Sequence, residues 1–235
     1  MIRFGGEIVY IDPYLNVPDS SNPYHRGVPV LFPPEEIRRA KAIMSTHEHE
    51  DHCDERTVKA LHRNTDALFV GPSSSAAKAL EWGYESARIL TVRPGDKHKL
   101  SRGIEIFAFD SSDAYAEAAV TYLVKTQNGN IFHSGDTSYF GGLRQIGREH
   151  RVDVALLNFG KQIPTPKKPY YMSAEAVAMA ARDLRAATII PIHWDLWLEA
   201  RDEPKSIKTH LETISPNSHL LILNVGEKFE LNPNQ

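Results

Sequence analysis

The sequence predicts an α/β fold in which mixed β-sheets carry helices on their outer faces. Apolar stretches rich in Val, Ile and Phe alternate with helical patterns along most of the chain, which is typical of α/β proteins. Between Glu105 and His133, however, strand follows strand, and Gln127-Asn128-Gly129-Asn130 predicts a hairpin turn. The sheets are therefore not expected to be uniformly parallel.

The predicted strands share a short apolar run that is rich in β-branched or aromatic residues. They are Ile8–Ile11, Ala42–Met44, Ala67–Val70, Ile89–Val92, Ile104–Phe109, Val120–Val124, Asn130–His133, Val154–Asn158, Thr188–Ile192, Leu220–Leu223 and Lys228–Leu231.

The predicted helices share apolar residues at helical spacing, and Ser173 provides a cap before Ala174. They are Glu35–Ala40, Glu55–Arg63, Ser73–Trp82, Leu143–Glu149, Ala174–Leu184 and Pro204–Ile214.

The composition indicates one globular domain. With 235 residues, 41% of them hydrophobic, the chain can bury a sizeable core, and we expect a single domain over residues 1–235. The Pro-rich patch Pro164–Pro169 is interpreted as a loop within it. The single cysteine, Cys53, cannot form an internal disulfide, which fits a reducing compartment.

Charge and hydropathy limit the classes of partner. The 27 basic and 30 acidic side chains give a net charge of −3, so nucleic acid is not favoured as a partner. No apolar run nears the roughly 20 residues of a membrane span, and the first residues lack the basic and apolar segments of a signal peptide. We therefore expect a cytoplasmic protein without a membrane partner.

A cluster of histidines and acidic residues, Thr46-His47-Glu48-His49-Glu50-Asp51-His52, follows the predicted strand Ala42–Met44. Alternate residues of an extended backbone point the same way, so the imidazoles of His47 and His49 can bind one metal ion. Asp51 and His52 stand where the chain turns toward the next helix, which suits a second ion nearby. Glu48 and Glu50 alternate away from the histidine pair and are interpreted as solvated groups or as groups behind the ligands.

This spacing of His-x-His-x-Asp-His after a strand resembles the signature motif of the metallo-β-lactamase superfamily. Three further segments match in order: Val9-Tyr10-Ile11-Asp12-Pro13-Tyr14-Leu15, His133-Ser134-Gly135-Asp136-Thr137 and Ile190-Pro191-Ile192-His193-Trp194-Asp195. The resemblance covers nearly the whole chain. It implies an αββα sandwich of two mixed β-sheets with helices on the outer faces.

The resemblance also implies a set of metal ligands at the sheet edges. These are His47, His49, Asp51, His52, Asp113, Asp136 and His193. Asp136 is then the carboxylate that bridges two ions, and His193 completes the shell of the ion held by Asp51 and His52. Both Asp136 and His193 follow a predicted strand, where a sheet can present rigid ligands.

One ligand departs from the pattern of the superfamily. A third histidine is expected near the end of strand Ile104–Phe109, but Phe109-Asp110-Ser111-Ser112-Asp113 contains none. An aspartate is expected to replace it, and the spacing favours Asp113 over Asp110. The alternative is that both carboxylates only solvate a turn.

The sequence resembles the ascorbate-6-phosphate lactonase branch of the superfamily in three features. They are the missing histidine, the segment Tyr122-Leu123-Val124-Lys125-Thr126 and the segment Pro191-Ile192-His193-Trp194-Asp195-Leu196-Trp197. Trp194 stands where that branch tends to show a second histidine. The resemblance implies a small-molecule hydrolase that acts on a lactone or ester of a phosphorylated compound. A homo-oligomer is also an open possibility.

The implied chemistry uses two divalent ions, Mn²⁺ or Zn²⁺, which activate a water molecule. Asp51 is the expected catalytic residue, because it can accept or relay the proton as well as bind metal. An aspartate in place of a histidine makes the donor set harder, which favours manganese and leaves zinc open. Two rivals remain: a phosphodiesterase for nucleotides or lipids, and a metal-binding sensor with little activity.

Several further residues carry two interpretations each. Asp12 either orients a metal-binding imidazole or starts an Asp-Pro turn. Cys53 is interpreted as a buried structural thiol and not as a ligand, and His133 is placed off the metal face or behind it. Trp194 and Trp197 are either pocket walls or core.

Three lysines, Lys161, Lys167 and Lys168, lie in the loop after strand Val154–Asn158. They could hold a substrate phosphate, but a solvated loop is favoured because lysine is common in such loops.

Overall fold

The computed structural model describes residues 1–18, 23–161 and 169–231. Its strands are β1 Ile2–Phe4, β2 Glu7–Ile11, β3 Ala42–Met44, β4 Leu68–Gly71, β5 Ile89–Thr91, β6 Lys97–Lys99, β7 Glu105–Asp110, β8 Val120–Thr126, β9 Gly129–His133, β10 Val154–Asn158, β11 Thr188–Ile192 and β12 His219–Leu220. Its α-helices are α1 Glu55–Asn64, α2 Ser73–Glu81, α3 Gly142–Glu149, α4 Ala174–Leu184 and α5 Ile207–Ile214. Short 3-10 turns cover Pro34–Glu36, Ser86–Arg88, Leu198–Ala200 and Pro204–Ser206.

The strands form two mixed sheets. A five-stranded sheet has the order β1-β2-β3-β4-β5, and a seven-stranded sheet has the order β12-β11-β10-β9-β8-β7-β6. In the first sheet β1 and β2 are antiparallel while β2, β3, β4 and β5 are parallel neighbours. In the second, β6 and β7 are antiparallel, whereas β9, β10, β11 and β12 are parallel neighbours. The prediction of mixed sheets, with a hairpin between β8 and β9, is confirmed.

The chain divides into two compact units, and each is made of separate segments. The first contains Met1–Val17, Val30–Asp110 and Tyr115–Tyr122. The second contains Pro18–Pro29, Ser111–Ala114 and Leu123–Gln235. The single domain expected over residues 1–235 stays a prediction.

The core of the first unit lies between the parallel strands and α1. Ile43 of β3, Phe69 of β4 and Val58 and Leu61 of α1 are buried together. All three residues of β3 are buried, because strands flanked by parallel neighbours are covered on both faces. Cys53 belongs to the same core, and burial raises the pKa of its thiol to about 11. The interpretation of Cys53 as a buried structural thiol is confirmed.

The second unit is built on β9–β12 and on α3, α4 and α5. The hydroxyl of Ser173 accepts a hydrogen bond from the Ala176 N–H and caps α4, as predicted. Helix α3 approaches the end of α4 closely at Gly147, where an added Cβ would lie 2.2 Å from the carbonyl oxygen of Asp183. Glycine is therefore needed at this helix contact.

Some predicted elements are wrong. The segment 35–40 forms only the 3-10 turn Pro34–Glu36, after which Ile37 is extended with φ −69° and ψ 124°. A helix this short does not recover the cost of nucleation. The segment 228–231 is not a strand, and most of it is exposed, so it has no apolar face to bury. The strands β1 and β6 were not predicted, since each has three residues and carries basic side chains at the end of a sheet.

Among the described residues, none of the helices has the length and apolar character that a membrane span requires.

Candidate metal centre

In the first unit, the segment 46–52 after β3, called the histidine-rich loop below, brings two imidazoles together. Nε2 of His47 lies 3.0 Å from Nδ1 of His49, and the two rings meet edge to face. The other nitrogen of His47, Nδ1, is 3.1 Å from the hydroxyl of Thr46. One nitrogen of each ring therefore faces the other ring, so the pair has the arrangement needed to share a cation. The predicted convergence of these rings is observed, while their binding of metal stays a prediction.

Asp51 and His52 form a second donor pair in this loop. Nε2 of His52 is 3.7 Å from the carboxylate of Asp51, and both side chains are largely buried. The ring of His52 also lies beside the ring of His47, with centroids 4.1 Å apart. Three imidazoles and one carboxylate thus occupy one turn of the chain.

Asp12 fixes the orientation of His52. Its Oδ2 lies 2.8 Å from Nδ1 of His52, and its two oxygens accept hydrogen bonds from the backbone N–H and the hydroxyl of Thr46, each at 2.7 Å. Asp12 has a left-handed backbone with φ 46°, which Asp tolerates better than most residues. Of the two interpretations left open by the sequence, the structure supports the one in which Asp12 orients an imidazole.

Hydrogen bonds from other strands hold the backbone of the loop. The phenol of Tyr122 donates to the carbonyl of Ser45 at 2.9 Å, and the Val120 N–H donates to the carbonyl of Thr46 at 2.9 Å. Burial raises the pKa of Tyr122 well above its usual value, so the phenol stays protonated and able to donate. The two backbone carbonyls that precede His47, those of Ser45 and Thr46, are therefore both held by hydrogen bonds from β8.

Glu48 and Glu50 differ in their surroundings. The side chain of Glu48 is buried and hydrogen-bonded to Ser74 and Glu117, whereas Glu50 is exposed. For Glu48, the interpretation as a group behind the ligands agrees with the structure. For Glu50, the interpretation as a solvated group agrees with the structure.

In the second unit, Asp136 and His193 lie together at the carboxyl ends of their strands. Asp136 follows β9 after a turn at Gly135, which has φ 53°, and His193 follows β11 directly. Nε2 of His193 is 3.7 Å from Oδ1 of Asp136, and both side chains are nearly buried. His193 itself has φ 70°, which is strained for a residue with a Cβ, and such strain is concentrated at functional positions.

The turn that carries Asp136 is held by its neighbours. The Ser134 N–H donates to the carbonyl of Leu156 at 3.0 Å, and the Ser134 hydroxyl accepts from the Asn158 N–H at 2.9 Å. Nδ1 of His133 accepts from the Gly135 N–H at 3.1 Å, so this nitrogen faces the backbone. That contact agrees with the placement of His133 behind the ligands.

Asp113 and Asp110 occupy different environments. Asp110 is the last residue of β7, and its side chain is exposed. Asp113 lies in the segment Ser111–Ala114 of the second unit, and one of its carboxylate oxygens is buried. This segment is tied to the Asp136 turn, because the Ser112 N–H donates to the hydroxyl of Thr137 at 2.7 Å.

The loop after His193 contains the two tryptophans and a perturbed carboxylate. Trp197 is buried and its ring is 6.0 Å from that of Tyr24, whereas Trp194 is half-buried. Trp197 is therefore a core residue. Burial raises the pKa of Asp195, against the lowering effects of hydrogen bonding and nearby cations.

The lysines of the loop after β10 are described only in part. Lys161 is exposed, and its backbone N–H donates to Ala200 at 2.8 Å. Lys167 and Lys168, with most of the Pro164–Pro169 loop, lie outside the described residues. The choice between a phosphate site and a solvated loop stays a prediction.

Sequence reasoning missed Thr46 and Thr137, each of which stands next to a predicted ligand. The hydroxyl of Thr46 donates to the carboxylate of Asp12, and the hydroxyl of Thr137 accepts from the Ser112 N–H. Each threonine therefore helps to hold the segment that carries a predicted ligand. Their only signal was that a side chain able to hydrogen-bond stands beside a metal-binding motif, which is too common to be selective.

The donors that the structure places at the ends of β3, β9 and β11 are imidazoles and carboxylates, which suit divalent ions of intermediate hardness. The molecule is thus an α/β protein of two mixed sheets with candidate metal ligands at the carboxyl ends of strands. Residues 8–194 match the model of the beta-lactamase superfamily domain, and the chain belongs to this family.

One curated relative and two solved structures are also similar to this chain. The chain is 33% identical over 207 residues to a probable L-ascorbate-6-phosphate lactonase UlaG of Salmonella paratyphi B, covering 79% of this chain and 58% of that protein. The chain therefore spans less than two thirds of the length of that relative. Among solved structures, an isothiocyanate hydrolase from Delia radicum gut bacteria has a similar fold, with a TM-score of 0.79 at 20% identity and coverage of 99% of this chain and 95% of that chain.

A second similar structure is Igni18, a metallo hydrolase from the archaeon Ignicoccus hospitalis, with a TM-score of 0.74 at 20% identity and coverage of 97% and 94%. At these identities the two structures show a common fold. The fold class predicted from the sequence, the metallo-β-lactamase fold, is confirmed.

Proposed function

We propose that this protein is a metal-dependent hydrolase that acts on a lactone or related ester of a phosphorylated small molecule. The observation that carries the proposal is the pair of imidazole nitrogens, His47 Nε2 and His49 Nδ1, that meet at 3.0 Å directly after β3. Membership of the beta-lactamase superfamily supports it, as does the lactonase named among the relatives.

The proposed ligands form two sets that share one carboxylate. His47, His49 and Asp113 would hold one ion, while Asp51, His52 and His193 would hold the other. Asp136 would be shared by both sets, since a carboxylate has two oxygens and can bind two cations. The 3.7 Å pairs Asp51–His52 and Asp136–His193 support the second set, because each pair places two donors within reach of one ion.

When bound, the ions supply an activated water molecule and polarise the electrophilic oxygen of the substrate. The chain then has to hold the ions, orient the substrate and move one proton. Asp51 accepts or relays that proton through its second carboxylate oxygen. The buried thiol of Cys53, with its raised pKa, is not a nucleophile in this scheme.

Manganese or zinc suits the proposed donors. In the set proposed for the first ion, two imidazoles and the aspartate that replaces a third make the donors harder than three imidazoles would, which favours manganese. We place the protein in the cytoplasm, because its one cysteine is a buried free thiol and fits a reducing compartment.

The test compares substrates on metal-loaded protein. The protein is stripped with chelator, reloaded with Mn²⁺ or Zn²⁺, and assayed against lactones with and without a phosphate group and against phosphodiesters. We expect chelator-sensitive hydrolysis of lactones, with a higher kcat/KM for the phosphorylated ones. Hydrolysis of diesters alone would favour a phosphodiesterase, and metal binding without any hydrolysis would favour a sensor; either result overturns the proposal.

A further inference from the structure

Glu48 stands between the two converging histidines in the chain. It is only 9% exposed. Its Oε2 accepts a hydrogen bond from the hydroxyl of Ser74 at 2.8 Å, and its Oε1 accepts one from the backbone N–H of Glu117 at 2.6 Å. Both oxygens of this carboxylate are thus used by groups outside the histidine-rich loop.

Helix α2 holds the backbone of Glu48 as well. The ammonium of Lys78 donates to the carbonyl oxygen of Glu48 at 2.7 Å. Ser74 and Lys78 are four residues apart and therefore lie on the same face of α2. One helix face binds both the side chain and the main chain of Glu48, and Glu117 binds it from a second segment of the first unit.

The matched residue in the same motif has a different exposure. Glu50 is two positions further along and is exposed. A buried carboxylate is costly unless its oxygens are satisfied. The buried position is therefore occupied by a carboxylate with two defined partners.

We propose that Glu48 is a positioning residue, which fixes the separation and orientation of the His47 and His49 imidazoles through its contacts with α2 and Glu117. The inference rests on the proposed function, because it assigns a role toward the ion that these histidines bind. The reason is geometric. His47 and His49 are joined to each other through the main chain of Glu48, so a shift of Glu48 changes the 3.0 Å approach of their nitrogens.

The variants Glu48→Ala, Glu48→Gln and Ser74→Ala test this role, with Glu50→Gln as the control in the same motif. A glutamine can still accept from the Glu117 N–H and can donate to the Ser74 hydroxyl, so it keeps the contacts and loses only the charge. An alanine keeps neither contact. Mn²⁺ and Zn²⁺ affinities are measured by competition with a chromophoric chelator, and the unfolding midpoint of the metal-free protein is measured separately.

We expect Glu48→Ala to weaken the affinity for the ion by about 10–100-fold, as loss of groups that orient metal ligands commonly does. Glu48→Gln and Glu50→Gln should stay within about threefold of the wild type, by the same comparison. Ser74→Ala, which leaves Glu48 itself in place, should give an intermediate loss and serves if Glu48→Ala does not fold.

The results that overturn the inference are separate from those that overturn the function. If Glu48→Ala and Ser74→Ala bind metal like the wild type, or if Glu48→Gln loses as much as Glu48→Ala, Glu48 does not act by position. If the wild type itself binds neither metal, the proposed function fails and this role falls with it.

Discussion

The carboxylate of Asp12 lies 2.8 Å from Nδ1 of His52, although the two residues are forty positions apart in the chain. Asp12 follows β2 and His52 follows β3, and these strands are parallel neighbours with Ile11 opposite Met44. The carboxyl ends of both strands therefore meet at one sheet edge. The carboxylate favours a proton on Nδ1 of His52, which leaves Nε2 with a lone pair for a cation.

Asp12→Asn should weaken metal binding by about 10–100-fold while changing stability little. Asn tolerates the left-handed backbone at this position, where φ is 46°. Its amide, however, can donate to Nδ1 of His52 and so move the ring proton to Nε2. Metal titration monitored by a competing chelator checks the change. Asp66→Asn, at an exposed position, is the control, and a wild-type affinity in Asp12→Asn would refute the orienting role.

Gly147→Ala should destabilise the protein. An alanine inside a helix ordinarily gains about 0.5–1 kcal/mol over glycine. At Gly147 the new Cβ would lie 2.2 Å from the Asp183 carbonyl oxygen and 2.6 Å from the Leu184 carbonyl carbon, and these backbone atoms cannot move aside easily. We expect the free energy of unfolding to fall by about 1–3 kcal/mol, the cost of overpacking.

The control for Gly147 is Gly141→Ala. Gly141 precedes α3, has φ −63°, and has nothing within 4 Å of an added Cβ. Urea unfolding of both variants should give a loss for Gly147→Ala and a change near zero or a gain for Gly141→Ala. Equal stabilities in the two would mean that α3 and α4 do not pack as described.

Asp136→Ala and His193→Asn should give different patterns of metal loss. Asp136 is proposed to touch both ions, so its removal should weaken both, whereas His193 is proposed to touch one. Asn is chosen at His193 because it accepts the φ of 70° there and removes the imidazole. Elemental analysis of the purified variants gives the number of ions retained. Selective loss of one ion in both variants would contradict the bridging role of Asp136.

The strands that were predicted best are those with buried neighbours on both sides. The bounds of β3, β10 and β11 agree with the sequence prediction, because continuous apolar runs of Ala, Ile, Leu and Val mark strands that are covered on both faces. Strand β6, Lys97–Lys99, has two exposed lysines and one partner strand. Its pairing with β7 depends on residues that follow it in the chain, so no local pattern predicts it.

The residues of the candidate site also differ in how well the sequence predicts them. The spacing of His47, His49, Asp51 and His52 was evident because it depends on neighbouring positions. Asp12 remained ambiguous, since an Asp-Pro pair also starts ordinary turns. Glu48 gave no signal that separated it from Glu50, because its partners Ser74 and Glu117 are distant in the sequence and only the fold brings them beside it.

The last prediction concerns the aspartate that replaces the missing histidine. We expect Asp113→Ala to lose the ion proposed for His47 and His49, while Asp110→Ala keeps it. Asp110 ends β7 with its side chain exposed, and its carbonyl accepts from the hydroxyl of Thr121 at 3.3 Å, so its backbone continues the sheet. Asp113 has a buried carboxylate oxygen and lies one residue from Ser112, whose N–H is bound by Thr137 beside Asp136.

Asp113→His should then restore a nitrogen donor and shift the preference from manganese toward zinc. Metal content and relative Mn²⁺ and Zn²⁺ affinities of the three variants are measured side by side. Retention of both ions in Asp113→Ala, with depletion in Asp110→Ala, would assign the ligand to Asp110 instead.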